Sequence, residues 1–353
     1  MSLPSEGTAA PPRRQSLVRR LLPYTVALLA LGWVLRATNL HELKRAVTHA
    51  PIGWFVVVSA VMLVLNCAAD TFAMRSVFGW FGCRVPFVDL FIVRASTYLL
   101  AVVNYHVGQA AIIGYLYRAR RVPFLRATGW ILFIIGINVG TLFLIGSAGA
   151  AQADGELAIL RLVPVICAVG VVVYAALLVW KPRFLASRSL FAPLFEMGVV
   201  GHIKGVLVRL PHIGVLLVWH YVSLRMFGVE VGPGEALLYL PAYFAVASLP
   251  INVNGLGVAQ VVAIAFFSRY VAVPADVVDP KQVHDLQVAG VTAYSLATSG
   301  VSILLQLCLG LLCVRRGTQL GLAPVSDTAP VATAESLPAP APDAAEQVSA
   351  VSS

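Results

Sequence analysis

Two polar stretches interrupt an otherwise apolar chain, and most residues able to do chemistry inside a membrane lie in them. The first is residues 104–109, NYHVGQ; the second is residues 249–260, LPINVNGLGVAQ. Asn104, Gln109, Asn252, Asn254 and Gln260 supply amide donors and acceptors without formal charge. Gly108, Gly255 and Gly257 permit backbone angles that other residues resist. Pro250 lacks an N–H and ends or kinks a helix. Helices starting near Gly108 and Gly255 would present unpaired N–H groups and a positive charge of about half a unit. Such ends bind anions, phosphate included. His106 in the first stretch would bind phosphate or move a proton; the competing reading is a structural imidazole. For both stretches the blander reading is that the amides only satisfy broken backbone.

Two further groups stand outside these stretches. Arg94 lies in the apolar run that leads into the first. A centred arginine costs about 2.5–3.5 kcal/mol on insertion scales, so it should face protein or water, attracting an anionic lipid or reaching back to the head-groups. His220 falls near the middle of an apolar run over residues 212–227. An ionisable group at that depth is a functional candidate, set against a neutral imidazole bonded between helices. Asp70 and Asp89 are read as lying near span boundaries. The membrane core then holds almost no carboxylate, which tells against proton- or sodium-coupled transport. There is no HExxH, P-loop or GxSxG pattern, and the five cysteines have no metal or redox spacing. The chain is therefore expected not to be an enzyme and to need no metal and no cofactor.

The elements that must position these residues are membrane helices. Only 12% of residues are charged and the mean hydropathy is +0.85, against about 25% charged in soluble domains. The net charge of +9 does not imply nucleic acid, because the basic residues cluster in short loops beside apolar spans. A span needs roughly 20 apolar residues. Full spans are expected over residues 21–37, 52–74, 125–150, 160–180, 212–227 and 286–314. The blocks 87–117 and 236–270 are too long for one span, and each is broken by a polar stretch. Broken backbone persists in lipid only where protein or a water-filled cavity covers it, so each block reads as a re-entrant helical hairpin.

Loop charge fixes the orientation. Arg75, Arg84, Arg118, Arg120, Arg121, Arg126, Lys181, Arg183, Arg188, Lys204, Arg209, Arg315 and Arg316 are assigned to cytoplasmic loops, with the basic N-terminus. The loops holding Asp154 and Glu156, Glu230 and Glu235, and Asp276, Asp279 and Asp285 are assigned outside. The loop with Arg36, Lys44 and Arg45 fits less well. One arrangement satisfies nearly all of them: an all-α polytopic membrane protein with six full spans, two re-entrant hairpins dipping in from opposite faces, and both termini cytoplasmic. Drawing each hairpin as two helices gives about eight annotated helices. Residues 1–20 form a basic cytoplasmic N-terminus, 21–316 the transmembrane domain, and 317–353 an Ala/Pro-rich tail expected to be disordered. The segments 21–150 and 160–316 repeat the same series inverted, as in many secondary transporters. Gly136 and Gly140 form GxxxG around Asn138, a spacing that usually marks a packing face. Ser295, Ser299, Ser302 and Gln306 fall on one helical face, read as close packing or as a polar path.

Pro250 with Gly255-Leu256-Gly257-Val258 resembles the PxGGLGVxE signature of the lysylphosphatidylglycerol synthase transmembrane region, or flippase-like, family. Asn104 to Gly108 looks like that family's earlier N-x-x-P-x-x-GE/GD motif. The resemblance covers roughly residues 20–316. Gln109 and Gln260 stand where the family has acids, and Ala110–Ile113 offer no counterpart to its arginine. The charge loss argues against a cationic head-group, and the synthetase domain carried by some members is not expected here.

These readings together lead to an inner-membrane translocator of a lipid or lipid-linked envelope intermediate, its head-group held at the hairpin tips. The rival is a non-transporting membrane subunit supporting a glycosyltransferase or another envelope-biosynthesis enzyme. The partners expected are a membrane lipid or lipid-linked substrate and such an enzyme, with no nucleic acid. The sequence is silent on oligomeric state and substrate identity.

Overall fold

The computed structural model describes residues 36, 40–102, 104–150, 161–247 and 258–322. Among these the chain is helical: α1 Leu40–His49, α2 Ile52–Trp80, α3 Phe87–Ser96, α4 Tyr98–Ala101, α5 Tyr105–Ala119, α6 Phe124–Ala150, α7 Leu162–Trp180, α8 Arg183–Ala186, α9 Ala192–Met226, α10 Pro233–Ala247, α11 Val258–Phe267 and α12 Pro280–Leu322. Five of them (α2, α6, α7, α9 and α12) are long and apolar enough to cross a membrane, which marks an integral membrane protein. The expected first span, residues 21–37, lies outside the described residues, Arg36 excepted. Helix ends follow local chemistry. Gly82 at φ +82° and Pro86 separate α2 from α3, and Lys181 in the left-handed region followed by Pro182 stops α7.

The centre of the bundle is the antiparallel pair α2 and α9. Phe55 meets Phe227 edge-on at 5.2 Å, Trp219 Nε1 donates to Ser59 Oγ at 3.2 Å, and Asp70 pairs with Arg209. α6 lies parallel to α9, joined by Arg126–Glu196 at one end and by Arg209–Asn138 near mid-length.

Each broken block is a pair of helical arms. In the first, α3 and α4 run in and α5 runs back. Both ends of that pair, from Cys83 to Val93 and from Tyr115 to Val122, share one buried cluster with the C-terminal end of α2 and the first half of α6. In the second, α10 runs in, and α11 with a 3₁₀ turn at Ser268–Tyr270 runs back. Its base is closed by an antiparallel bridge between Val229 and Val271, with the Glu230 N–H donating to the Tyr270 carbonyl at 2.6 Å. That base follows Phe227, beside the N-terminal end of α2. The two arm pairs therefore start from opposite ends of the α2/α9 pair.

Each last long helix of a half packs on the ingoing arm of the other half. On α6, Gly146 and Gly149 face Pro241 and Leu238 of α10; on α12, Gly310 and Gly317 face Leu99 and Ser96 of the first arm pair. A Cβ at Gly136 or Gly140 would meet nothing within 4 Å. Among the described residues nothing packs on the expected GxxxG face, and the glycines in contact are the later ones, set by where α10 reaches α6.

Three expected boundaries are corrected. The span placed at 212–227 begins at Ala192, with a break in helical angles at Gly198 (φ 55°) and Pro211 inside it. Lys204 and Arg209 are therefore helical rather than in a loop. The loop holding Lys44 contains the amphipathic α1, with Lys44 exposed and Leu43 half-buried against the core. The expected disordered tail loses residues 317–322, which complete α12.

Candidate functional site

The first break is built by an N-cap. Asn104 is extended (φ −161°, ψ 129°), and its Oδ1 accepts the His106 N–H at 2.8 Å, starting α5. Tyr105, His106 and Val107 are exposed, and the His106 ring lies edge-on to Tyr105 at 5.6 Å. Gly108 lets α5 close on the ingoing arm: a Cβ there would sit 2.9 Å from Ala101 Cβ and 3.3 Å from the Thr97 carbonyl oxygen. Gln109 follows, buried at 4% exposure, with no partner for Oε1 among the described residues. Asn104, His106, Gly108 and Gln109 thus occupy the first turns of one helix, two exposed or half-buried and two buried. Gly108→Val is expected to cost about 1–3 kcal/mol by overpacking in detergent unfolding, while Gly114→Ala, with nothing within 4 Å of the added Cβ, keeps or slightly raises the midpoint through helix propensity.

Of the second stretch, Asn252, Asn254, Gly255 and Gly257 lie outside the described residues. Gln260 is on α11, fully buried, and both Nε2 and Oε1 lack partners there among the described residues. Tyr239 against Phe266 and Phe267 sets the pairing of α10 with α11, which puts Gln260 opposite Ala245. Leu238 at Gly149 and Pro241 at Gly146 put Ala245 opposite Leu142, about one turn from Asn138. Gln109, opposite residues 98–100, is also about one turn beyond the level of Arg94. Gln109, whose amide oxygen has no partner among the described residues, and Gln260, neither of whose amide atoms has one there, therefore lie at similar depth, one on each returning arm. A buried amide without a partner costs about 1–3 kcal/mol, so each calls for water or a ligand group.

His220 is not where the sequence put it. Because α9 starts at Ala192, His220 is less than two turns from its C-terminal end, not central. Its Nδ1 is 3.0 Å from the Leu216 carbonyl oxygen on the same helix, and its ring packs on Phe244 at 4.6 Å. This geometry matches the structural imidazole.

The most charged element at mid-bundle joins residues that the sequence places apart, in a boundary (Asp70), a hairpin arm (Arg94) and a loop (Arg209). Asp70 is 1% exposed and about 15 Å from the end of α2, because that helix continues to Trp80. Its Oδ2 accepts from Arg94 Nε at 2.5 Å, and its Oδ1 accepts from Arg209 Nη1. Arg94 also donates through Nη1 to Thr97 Oγ1 at 3.3 Å and lies 5.1 Å from the centre of the Tyr98 ring. Arg209 donates through Nε to Asn138 Oδ1 at 2.9 Å. Arg94 therefore faces protein, and Arg209 is a buried helical residue rather than part of an exposed loop. One signal was available. Asp70, Arg94 and Arg209 are charges in or beside three separate apolar runs, and buried charges of opposite sign need one another.

The remaining candidates are apolar or structural. A cavity of about 120 Å³ between α6, α7, α10 and α11 is lined by Leu142, Phe143, Val163, Pro241, Ala245 and Phe266, which suits no polar head-group. Ser295 and Ser299 are buried in the α12 seam and Ser302 and Gln306 half-buried. Among the described residues no cluster of His, Cys, Asp or Glu could hold a metal ion. No protein-family model matches the chain, and neither a curated protein nor a solved structure matches it.

Proposed function

We propose that this protein is a translocator, in a bacterial-type inner membrane, of a lipid or lipid-linked envelope intermediate, of the flippase-like kind its glycine motif resembles. The observation that carries the reading is the pair of helical arm sets starting from opposite ends of α2/α9, each with a buried glutamine on its returning arm whose amide oxygen has no partner among the described residues. In this reading the arm pairs are re-entrant hairpins, their inner ends hold a polar head-group at mid-depth, and the acyl tails stay in lipid. The reciprocal packing of α6 on α10 and α12 on the first arm pair supports an inverted repeat, whose halves would rock about the bound head-group.

Orientation follows from loop charge. Both termini and the base of the first hairpin face the cytoplasm. In a cysteine-free background, Arg84→Cys and Arg118→Cys are expected to react with an impermeant thiol reagent only from the cytoplasmic side, and Glu230→Cys and Asp276→Cys only from the other. Labelling of the first pair from different sides would dismiss the hairpin.

The test of function is head-group translocation in vesicles reconstituted with the purified protein, across anionic and glycosylated lipids. The expected result is faster movement of at least one class, lost when Gln109 and Gln260 are both changed to Leu. No acceleration for any class would leave the second reading, a subunit that supports an envelope enzyme without transporting. The uncharged character of Gln109 and Gln260 favours that alternative, and co-purification with a transferase would support it.

A further inference from the structure

We infer that Arg94 and Arg209 form a binding site for a phosphate anion at the centre of the bundle. One carboxylate faces two guanidinium groups, which leaves a net positive charge inside the protein. Among the described residues Asp70 is the one buried carboxylate, so they supply no second countercharge there. A buried uncompensated charge costs several kcal/mol, and the site is stable only with an anion or water beside it. The donors are arranged for an anion. Arg94 spends Nε on Asp70 and Nη1 on Thr97; Arg209 spends Nε on Asn138 and Nη1 on Asp70. The Nη2 of each has no partner among the described residues, and neither is among the fully sealed unpartnered atoms, so each is left to donate to a small group at the edge of the cluster. Guanidinium recognises phosphate through paired N–H donors. The Asp70 carboxylate holds both arginines in place and discourages a second anion.

The site also joins the halves: Arg94 belongs to the first arm pair, Arg209 to α9, and both meet on one carboxylate of α2. This deepens the translocator reading, on which it rests only for the phosphate being carried by a lipid. The phosphate would sit at the arginines, while Gln109 and Gln260, about one turn away, would face the rest of the head-group.

The test is equilibrium binding to the purified full chain in neutral detergent. The probes are inorganic phosphate, short-chain phosphatidylglycerol and a short-chain glucosyl diacylglycerol without phosphate. The expected result is saturable binding of the phosphate-bearing probes, with phosphate displacing the phospholipid, and at least about tenfold weaker binding of the neutral glycolipid. Arg94→Gln and Arg209→Gln should each weaken phosphate binding by about tenfold or more, and Arg209→Lys should restore part of it. Removing one arginine leaves a neutral pair, so these variants are expected to fold, and their melting midpoints check it. Equal binding of the neutral lipid, or unchanged phosphate affinity in a folded Arg→Gln variant, would overturn the proposal. Loss of phosphate binding in Arg209→Gln without any lipid translocation by the native protein would sink the translocator and leave this site standing.

Discussion

Asp70→Asn is expected to destabilise the folded protein by about 3–5 kcal/mol, the figure for removing one member of a buried ion pair. The carboxylate is 1% exposed and is shared by two guanidinium groups, themselves 5% and 4% exposed. An asparagine keeps the shape and one acceptor oxygen but leaves two positive charges facing each other in the core. The asymmetry is the informative part. Arg209→Gln removes the excess charge and should cost much less, its main loss being the bond to Asn138. Replacing Asp70, Arg94 and Arg209 together by apolar residues of similar volume should recover most of the stability lost by Asp70→Asn. Unfolding in detergent, followed by tryptophan fluorescence, reads all four proteins. A native-like midpoint for Asp70→Asn would mean that the cluster is hydrated and not a buried triad.

Gly149→Leu is expected to cost about 3 kcal/mol, the upper part of the overpacking range, and to separate α6 from α10. A Cβ at Gly149 would lie 2.6 Å from Leu238 Cα and 2.7 Å from Leu238 N. Those are backbone atoms of a helix, so relief requires α10 to move as a body. The reciprocal site is softer. At Gly310 the nearest atom is Leu99 Cγ at 2.8 Å, a side chain that has other rotamers, so Gly310→Leu should cost less. Gly140→Ala is the control, with open space around it and a small gain in helix propensity. Midpoints ranked Gly140→Ala, Gly310→Leu, Gly149→Leu from highest to lowest are the expected outcome. Unfolding of Gly149→Leu at the native midpoint would show that α6 and α10 do not pack this closely.

Much of the helical layout was legible because it depends on local runs. The spans at 125 and 160 were placed within two residues and the start at 52 to the residue, its end falling six residues short of Trp80, since an uninterrupted apolar run of sufficient length has few other folds in lipid. The break before Gly108 was legible too, because Asn104 caps a helix through its own neighbour two residues on. The start of α9 was not, because Arg209 and Pro211 interrupt its hydropathy. The charge of Arg209 is neutralised by a residue 139 positions away, and no local window contains that information. The place of His220 along its helix was hidden for the same reason: the run was read as starting at 212, while the helix starts at Ala192.

The sequence by itself determined that the chain is a set of apolar helices with two polar interruptions, and which amides lie in or beside them. Hydropathy and capping are properties of neighbours along the chain. Only the tertiary structure decided that Asp70, Arg94 and Arg209 meet and which glycines are contact points. Those outcomes depend on which helices lie side by side, and in an apolar environment that choice is made by close backbone approach and by charges that must find partners rather than by hydrophobicity.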